Sequence, residues 1–133
     1  MGYFIYCGGE EMDQYLVRFY ETRSGVTPAQ EFLCQLDKKL HAKMARTIML
    51  LQTNGPDLRM PYSRYLSDGI FELRVKEGSN ICRMLCFFCP DQTIILTNGF
   101  VKKTQKTPFQ ELYRAKKYRM DYFLRRDNDQ NIQ

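Results

Sequence analysis

Three β-rich runs, residues 70–76, 81–89 and 93–99, are joined by connections of only a few residues at 77–80 and 90–92. Parallel neighbours need a crossover of a dozen or more residues, so these runs must pair antiparallel, as a meander. Side chains alternate along a strand, placing Phe71, Leu73 and Val75 on one face and Glu72, Arg74 and Lys76 on the other. The middle run is apolar on both faces except for Arg83, the pattern of a central strand with one anomalous residue.

The rest of the chain builds around that meander. Tyr15 to Tyr20 reads as a short strand. Thr27-Pro28-Ala29-Gln30 supplies an N-cap, a proline at the first helical position and a capping-box Gln. Phe32, Leu33, Leu36 and Leu40 follow at helical spacing. Asp37 offers a second N-cap, Met44, Ile48 and Leu51 continue the stripe, and Gly55-Pro56 stops it. Residues 28–54 are thus expected to form a helical hairpin or one broken helix. Residues 56–69 read as an irregular connection. Thr107-Pro108-Phe109-Gln110 repeats the helix-start device, and the last helix is expected to end near Phe123, with Asp127 to Gln133 polar and frayed. The expected fold is one compact α+β domain over 14–124, in the order β-α-α-β-β-β-α. It is flanked by an N-terminal extension at 1–13, in which Met12 is a possible start, and a polar tail at 125–133.

Several classes of chemistry are disfavoured. No run of about 18 apolar residues occurs, and the N-terminus has no basic n-region of a secretory signal. The five cysteines are therefore expected to be reduced thiols in the cytoplasm. His41, the single histidine, lies in a helical pattern and reads as structural. Cys82 and Cys86 would sit ~13 Å apart on a strand, with Cys89 pointing the other way, so they make a poor metal site. No Gly-rich phosphate loop is present. The expectation is no metal and no cofactor.

The net charge of +5 is unevenly spread. Residues 1–101 carry 11 basic and 11 acidic groups, whereas 102–126 carry nine basic against two acidic. Such a local field suits a polyanion or an acidic protein, although a solvated helix face has the same composition. Strand pairing narrows the location. A two- or four-residue turn around Gly78-Ser79 sets Arg74 opposite Arg83, an arrangement of like charges that costs roughly 0.2–1 kcal/mol unless an anion lies between them. A three-residue turn at 90–92 sets Arg83 opposite Gly99, after which the chain leaves as Phe100-Val101-Lys102-Lys103. Arg74, Arg83, Lys102 and Lys103 thereby converge as a phosphate grip. Against this, Arg74 has Glu72 or Glu77 as a surface partner, Arg83 an internal carboxylate, and Phe100 a place in the core. RNA cleavage needs no metal, because a 2′-hydroxyl can attack its own phosphate if charge is stabilised and protons are handled.

The residues Gly69-Ile70-Phe71-Glu72-Leu73-Arg74, Arg83 in its hydrophobic strand, and Gly99-Phe100-Val101-Lys102-Lys103-Thr104-Gln105-Lys106-Thr107-Pro108, with Glu111 and Ala115, resemble the RelE/HigB superfamily. The closer likeness is to its phage-derived HigB-like toxins. Residues 28–33 and Met60-Pro61-Tyr62-Ser63 fit as well, so the resemblance spans about 14–124. It implies a RelE-like fold and a ribosome-dependent endoribonuclease that cuts mRNA and is neutralised by a cognate antitoxin. By position it implies Arg74 and Arg83 on the scissile phosphate and Lys102 or Lys103 in charge stabilisation or proton transfer. Phe100, Lys106 and Tyr113 are the candidate RNA contacts. The superfamily also includes gyrase poisons, so a non-nuclease role stays open.

Overall fold

The computed structural model describes residues 14–102 and 106–132, and in it the meander forms the middle of a five-stranded sheet. The elements are β1 (Leu16–Phe19), α1 (Pro28–Gln35), α2 (Lys38–Asn54), a 3-10 turn (Gly55–Asp57), β2 (Ser63–Ser67), β3 (Ile70–Glu77), β4 (Asn80–Phe88), β5 (Thr93–Lys102) and α3 (Phe109–Ile132). The fold is α+β, with the helical pair and the C-terminal helix that the sequence leads one to expect.

Local chemistry explains most boundaries. Asp37 accepts from the Leu40 backbone N–H at 2.9 Å and opens α2 as its N-cap. Thr27 instead donates to the Gln30 side chain at 3.1 Å, so the proline, not a hydroxyl cap, sets the start of α1. Gly55 ends α2 at φ 56°, with the Tyr15 ring packed where a Cβ would stand. Glu77 pairs with Asn80 across the two-residue turn Gly78-Ser79.

Two strands depart from expectation. The segment read as irregular contains β2, an edge strand hydrogen-bonded to β3. Its turn is Asp68-Gly69, both at positive φ (50° and 82°), which is the two-residue hairpin turn that an Asp-Gly pair favours. The sheet is also mixed, because β1 pairs parallel with β5 at the edge opposite β2. Helices α1 and α2 carry the chain across one face from the first edge to the other, and no local turn signals that pairing.

The sheet separates two cores. One face, with Leu73, Val75, Cys82, Met84, Cys86, Ile94 and Leu96, packs on α1 and α2. The other, with Ile70, Leu85, Phe87, Ile95 and Phe100, packs on α3 through Ala115, Leu112 and Tyr122. Cys82 and Cys86 thus lie on the opposite face from Cys89, and burial pushes the first two thiols up to about 12.

A bulge in β5 changes which face its last residues occupy. Cys86 pairs with Leu96 but Leu85 pairs with Asn98, leaving Thr97 as the extra residue. Its hydroxyl donates to the Leu85 carbonyl at 3.1 Å. Before the bulge the even-numbered residues Ile94 and Leu96 face α1 and α2; after it Phe100 faces α3. Gly99 then lies beneath Phe32 of α1, whose ring would be 2.3 Å from a Cβ. The three-residue turn at 90–92 is present, so the expected register holds at the turn and slips by one at Thr97. Arg83 consequently sits opposite Phe100, not Gly99.

Helix α3 also runs past Phe123 to Ile132. Arg125 and Arg126, near its end, pair with Asp121 at 2.8 Å and with Asp91 at 2.7 Å. Arg126 thereby ties the helix, just ahead of the segment expected to fray, to the turn between β4 and β5.

Candidate functional site

Arg74 on β3 and Arg83 on β4 are direct cross-strand partners. Both are on the face that carries α3. Like charges so placed need a counter-ion, and the chain supplies it from the same strand, two residues before Arg74. The Glu72 carboxylate is wholly buried. It lies 3.3 Å from Arg74 Nε, 3.8 Å from Arg83 Nη1 and 3.6 Å from Arg64 Nη2. The hydroxyl of Thr107, just ahead of α3, donates to its second oxygen. Three guanidiniums from three adjacent strands thus surround one carboxylate, leaving two positive charges in excess.

The three arginines differ in depth. Arg64 is 39% exposed, Arg74 12% and Arg83 0%. Burial depresses the Arg83 pKa; Glu72 opposes that, and Arg74 and Arg64 add to it. Its guanidinium also lies 5.8 Å from the centre of the Phe100 ring. Sealed in this way, Arg83 has no surface to offer a phosphate. It lies against Glu72 beneath the surface, whereas Arg64 and Arg74 reach solvent. Arg74 further lines a cleft of about 450 Å³ between α2 and the edge of β3, together with Lys43, Arg46, Lys76 and Tyr62.

Phe100 is buried, so its ring is a packing surface for Arg83 and not an open platform for a base. Lys102 is exposed at the end of β5, opposite Ile81, and Lys106 is exposed after the segment 103–105. Lys103 lies outside the described residues. Tyr113 is on another wall: 53% exposed, it lines a groove between the first turns of α3 and the loop after β1, with Tyr20, Arg23 and Phe109. The structure therefore joins Arg74 and Arg83, adds Lys102 at the end of β5, and sets Tyr113 on a different surface.

Two members of the cluster were not singled out by sequence reasoning. Arg64 was hidden because its strand was read as a connection, and the Asp68-Gly69 turn was the signal that would have found it. Glu72 was visible only as a surface partner for Arg74; its depth depends on α3 covering the sheet. Asn98 donates to the Glu111 carbonyl at 3.2 Å and to the Glu111 carboxylate at 3.0 Å, which pins the first turn of α3 to β5. Among the described residues no group of three His, Cys, Asp or Glu side chains is placed to hold a metal ion. No described helix is long and apolar enough to cross a membrane.

Compared with models of known protein families, residues 31–120 match the family described as phage derived protein Gp49-like (DUF891). The matched span contains all three arginines, Glu72 and Lys102. No curated protein matches the chain.

Proposed function

The chain belongs to the phage-derived Gp49-like family, a RelE/HigB-like toxin family, and from that premise we propose that it is a toxin that cleaves mRNA on the ribosome without a metal. The observation that carries this reading is the surplus of two positive charges around Glu72, with Arg74 and Arg64 at its open side. A phosphodiester approaching there meets planar forks suited to two of its oxygens. In the reaction the 2′-oxygen bonds to the adjacent phosphorus and the bond from phosphorus to the 5′-oxygen breaks. The products are a 2′,3′-cyclic phosphate and a 5′-hydroxyl. The 2′-hydroxyl gives up its proton and the leaving oxygen gains one. Arg74 and Arg64 stabilise the charge that grows on the phosphoryl oxygens. Lys102 and Lys103 are proposed for charge stabilisation or proton transfer at the end of β5, with Lys106 as a contact for the flanking strand; Tyr113, on another wall, is not assigned to the RNA. An antitoxin partner and a cytoplasmic setting accompany this reading.

A second reading, a relative that binds its antitoxin but cuts nothing, is favoured by one observation: Glu72 already occupies the place an anion would take between Arg74 and Arg83. Inducing the chain alone in a bacterium and mapping mRNA 5′ ends on ribosomes separates the two. Cleavage within codons, lost in Arg74→Ala, is expected. Growth arrest with intact mRNA would overturn the nuclease reading, and accompanying DNA breaks would point to gyrase.

A further inference from the structure

Helix α3 buries one side against the sheet and leaves a second apolar line in water. Phe109 is 78% exposed, Tyr113 53%, Met120 65% and Leu124 53%. Their spacings of four, seven and four residues put them on one stripe of the helix, about 22 Å long. Single exposed apolar residues are ordinary, but four in register along one helix are the mark of a docking face. The rings of Phe109 and Tyr113 stack with centres 6.1 Å apart. Midway along the stripe, exposed Lys117 holds its ammonium 5.5 Å from the centre of the Tyr113 ring. Beside the first half of the stripe lies the groove that Tyr113 shares with Tyr20 and Arg23, large enough to take a side chain from a partner.

The charge at the centre selects the occupant. The stripe is symmetric about its midpoint, so an antiparallel second copy would match Phe109 with Leu124 and Tyr113 with Met120. The same alignment would set Lys117 of each copy opposite Lys116 of the other, like charges that disfavour self-pairing. Elsewhere along α3 most basic residues are already paired: Arg114 with Glu111 at 3.4 Å, Lys116 with Asp68 at 3.0 Å, Arg126 with Asp91 at 2.7 Å and Arg125 with Asp121 at 2.8 Å, while Arg119 lies over the Phe87 and Phe123 rings on the sheet side. Lys117 meets the Tyr113 ring instead of a carboxylate and is exposed beside the stripe. We propose that this stripe docks an amphipathic helix of a partner protein, with apolar residues at matching spacing and a Glu or Asp at its centre to meet Lys117. Given the function proposed above, that partner is the antitoxin.

The test uses the full chain and two synthetic helical peptides of about 16 residues. Both carry Leu at the matching positions; one has Glu at the centre and flanks, the other Lys. Fluorescence anisotropy is expected to show binding of the acidic peptide only. Met120→Asp should weaken it at least tenfold, and Lys117→Glu should reverse the preference towards the basic peptide, which a purely apolar patch would not do. Circular dichroism of each variant checks that the helix survives. Equal binding of both peptides, binding of neither, self-association abolished by Met120→Asp, or preferential binding of a single-stranded RNA at this stripe would each overturn the proposal. Mapping mRNA ends with the parent chain separates the two readings. Equal peptide binding by the parent chain with cleavage intact defeats this inference alone, and absent cleavage by the parent chain with selective binding of the acidic peptide intact defeats only the nuclease.

Discussion

Truncating Arg83 would leave Glu72 buried with one fewer cation and open space beneath Phe100. Removing one partner of a buried ion pair costs about 3–5 kcal/mol, so Arg83→Ala is expected to lower stability by that amount, read as a shift of the urea midpoint. Growth assays on that variant would report unfolding before chemistry. Arg74 is the cleaner probe, because its side chain reaches water and its loss leaves Glu72 with Arg64, Arg83 and Thr107. Arg74→Ala should lower the urea midpoint less than Arg83→Ala does, yet lose about a hundredfold or more in cleavage on isolated ribosomes under conditions where it stays folded. An Arg74→Ala variant that cleaves normally would remove Arg74 from the phosphate site. The cross-strand placement of these two arginines was legible in the sequence, since one short turn sets it. The anion between them was not, because burial of Glu72 depends on α3 and Thr107, far along the chain.

The single extra residue in β5 decides which side chains reach the site. Without Thr97, residues 98–102 would exchange faces: Phe100 would leave Arg83 for α1, and Gly99 would no longer lie beneath Phe32. Deleting Thr97 is therefore expected to abolish a cooperative urea transition. Thr97→Val keeps the count, loses one buried hydrogen bond, and should cost only about 1 kcal/mol. Comparable losses in the two variants would show that the residue count is unimportant. Caps and turns such as Asp37, Gly55 and Gly78 could be read locally because each acts within a few residues. A bulge offers no such signal, since Ile94, Ile95 and Leu96 are apolar on both faces and fit either register.

Distant parts of the fold meet at Asp121 of α3. Its carboxylate takes the Tyr20 hydroxyl at 2.5 Å, Arg23 Nε at 2.9 Å and Arg125 at 2.8 Å, tying the edge next to β1 to the helix. Burial alone would raise the Asp121 pKa, but the Tyr20 and Arg23 hydrogen bonds and the Arg125 charge outweigh it and hold it below the ordinary value. A depressed carboxylate adds stability above its unfolded value, about 4, and loses it as pH falls through the folded value. Asp121→Asn should accordingly flatten the acid limb of a stability–pH profile, measured by urea unfolding at successive pH values. Burial first, and then Asp121, pushes the Tyr20 hydroxyl up to about 12, so its contribution is present below about 10 and fades as pH rises beyond that. An unchanged acid limb in Asp121→Asn would show that this cluster does not couple β1 to α3.

Turn chemistry, helix caps and strand alternation are short-range, and they were enough for the meander, the two N-terminal helices and the pairing of Arg74 with Arg83. The same residues read as a run of +7 over 102–126, which suggested an open basic helix. Folding brings Asp68 and Asp91 to that helix and pairs them with Lys116 and Arg126, while Asp121 of the helix itself holds Arg125. It also draws Arg64, Arg74 and Arg83 from three strands onto Glu72. Coulombic pairing and burial act between groups brought near in space, whatever their separation along the chain. The cationic side chains were therefore visible from the start, but which of them face water and which are spent on the chain's own carboxylates was decided by how the sheet and α3 close on each other.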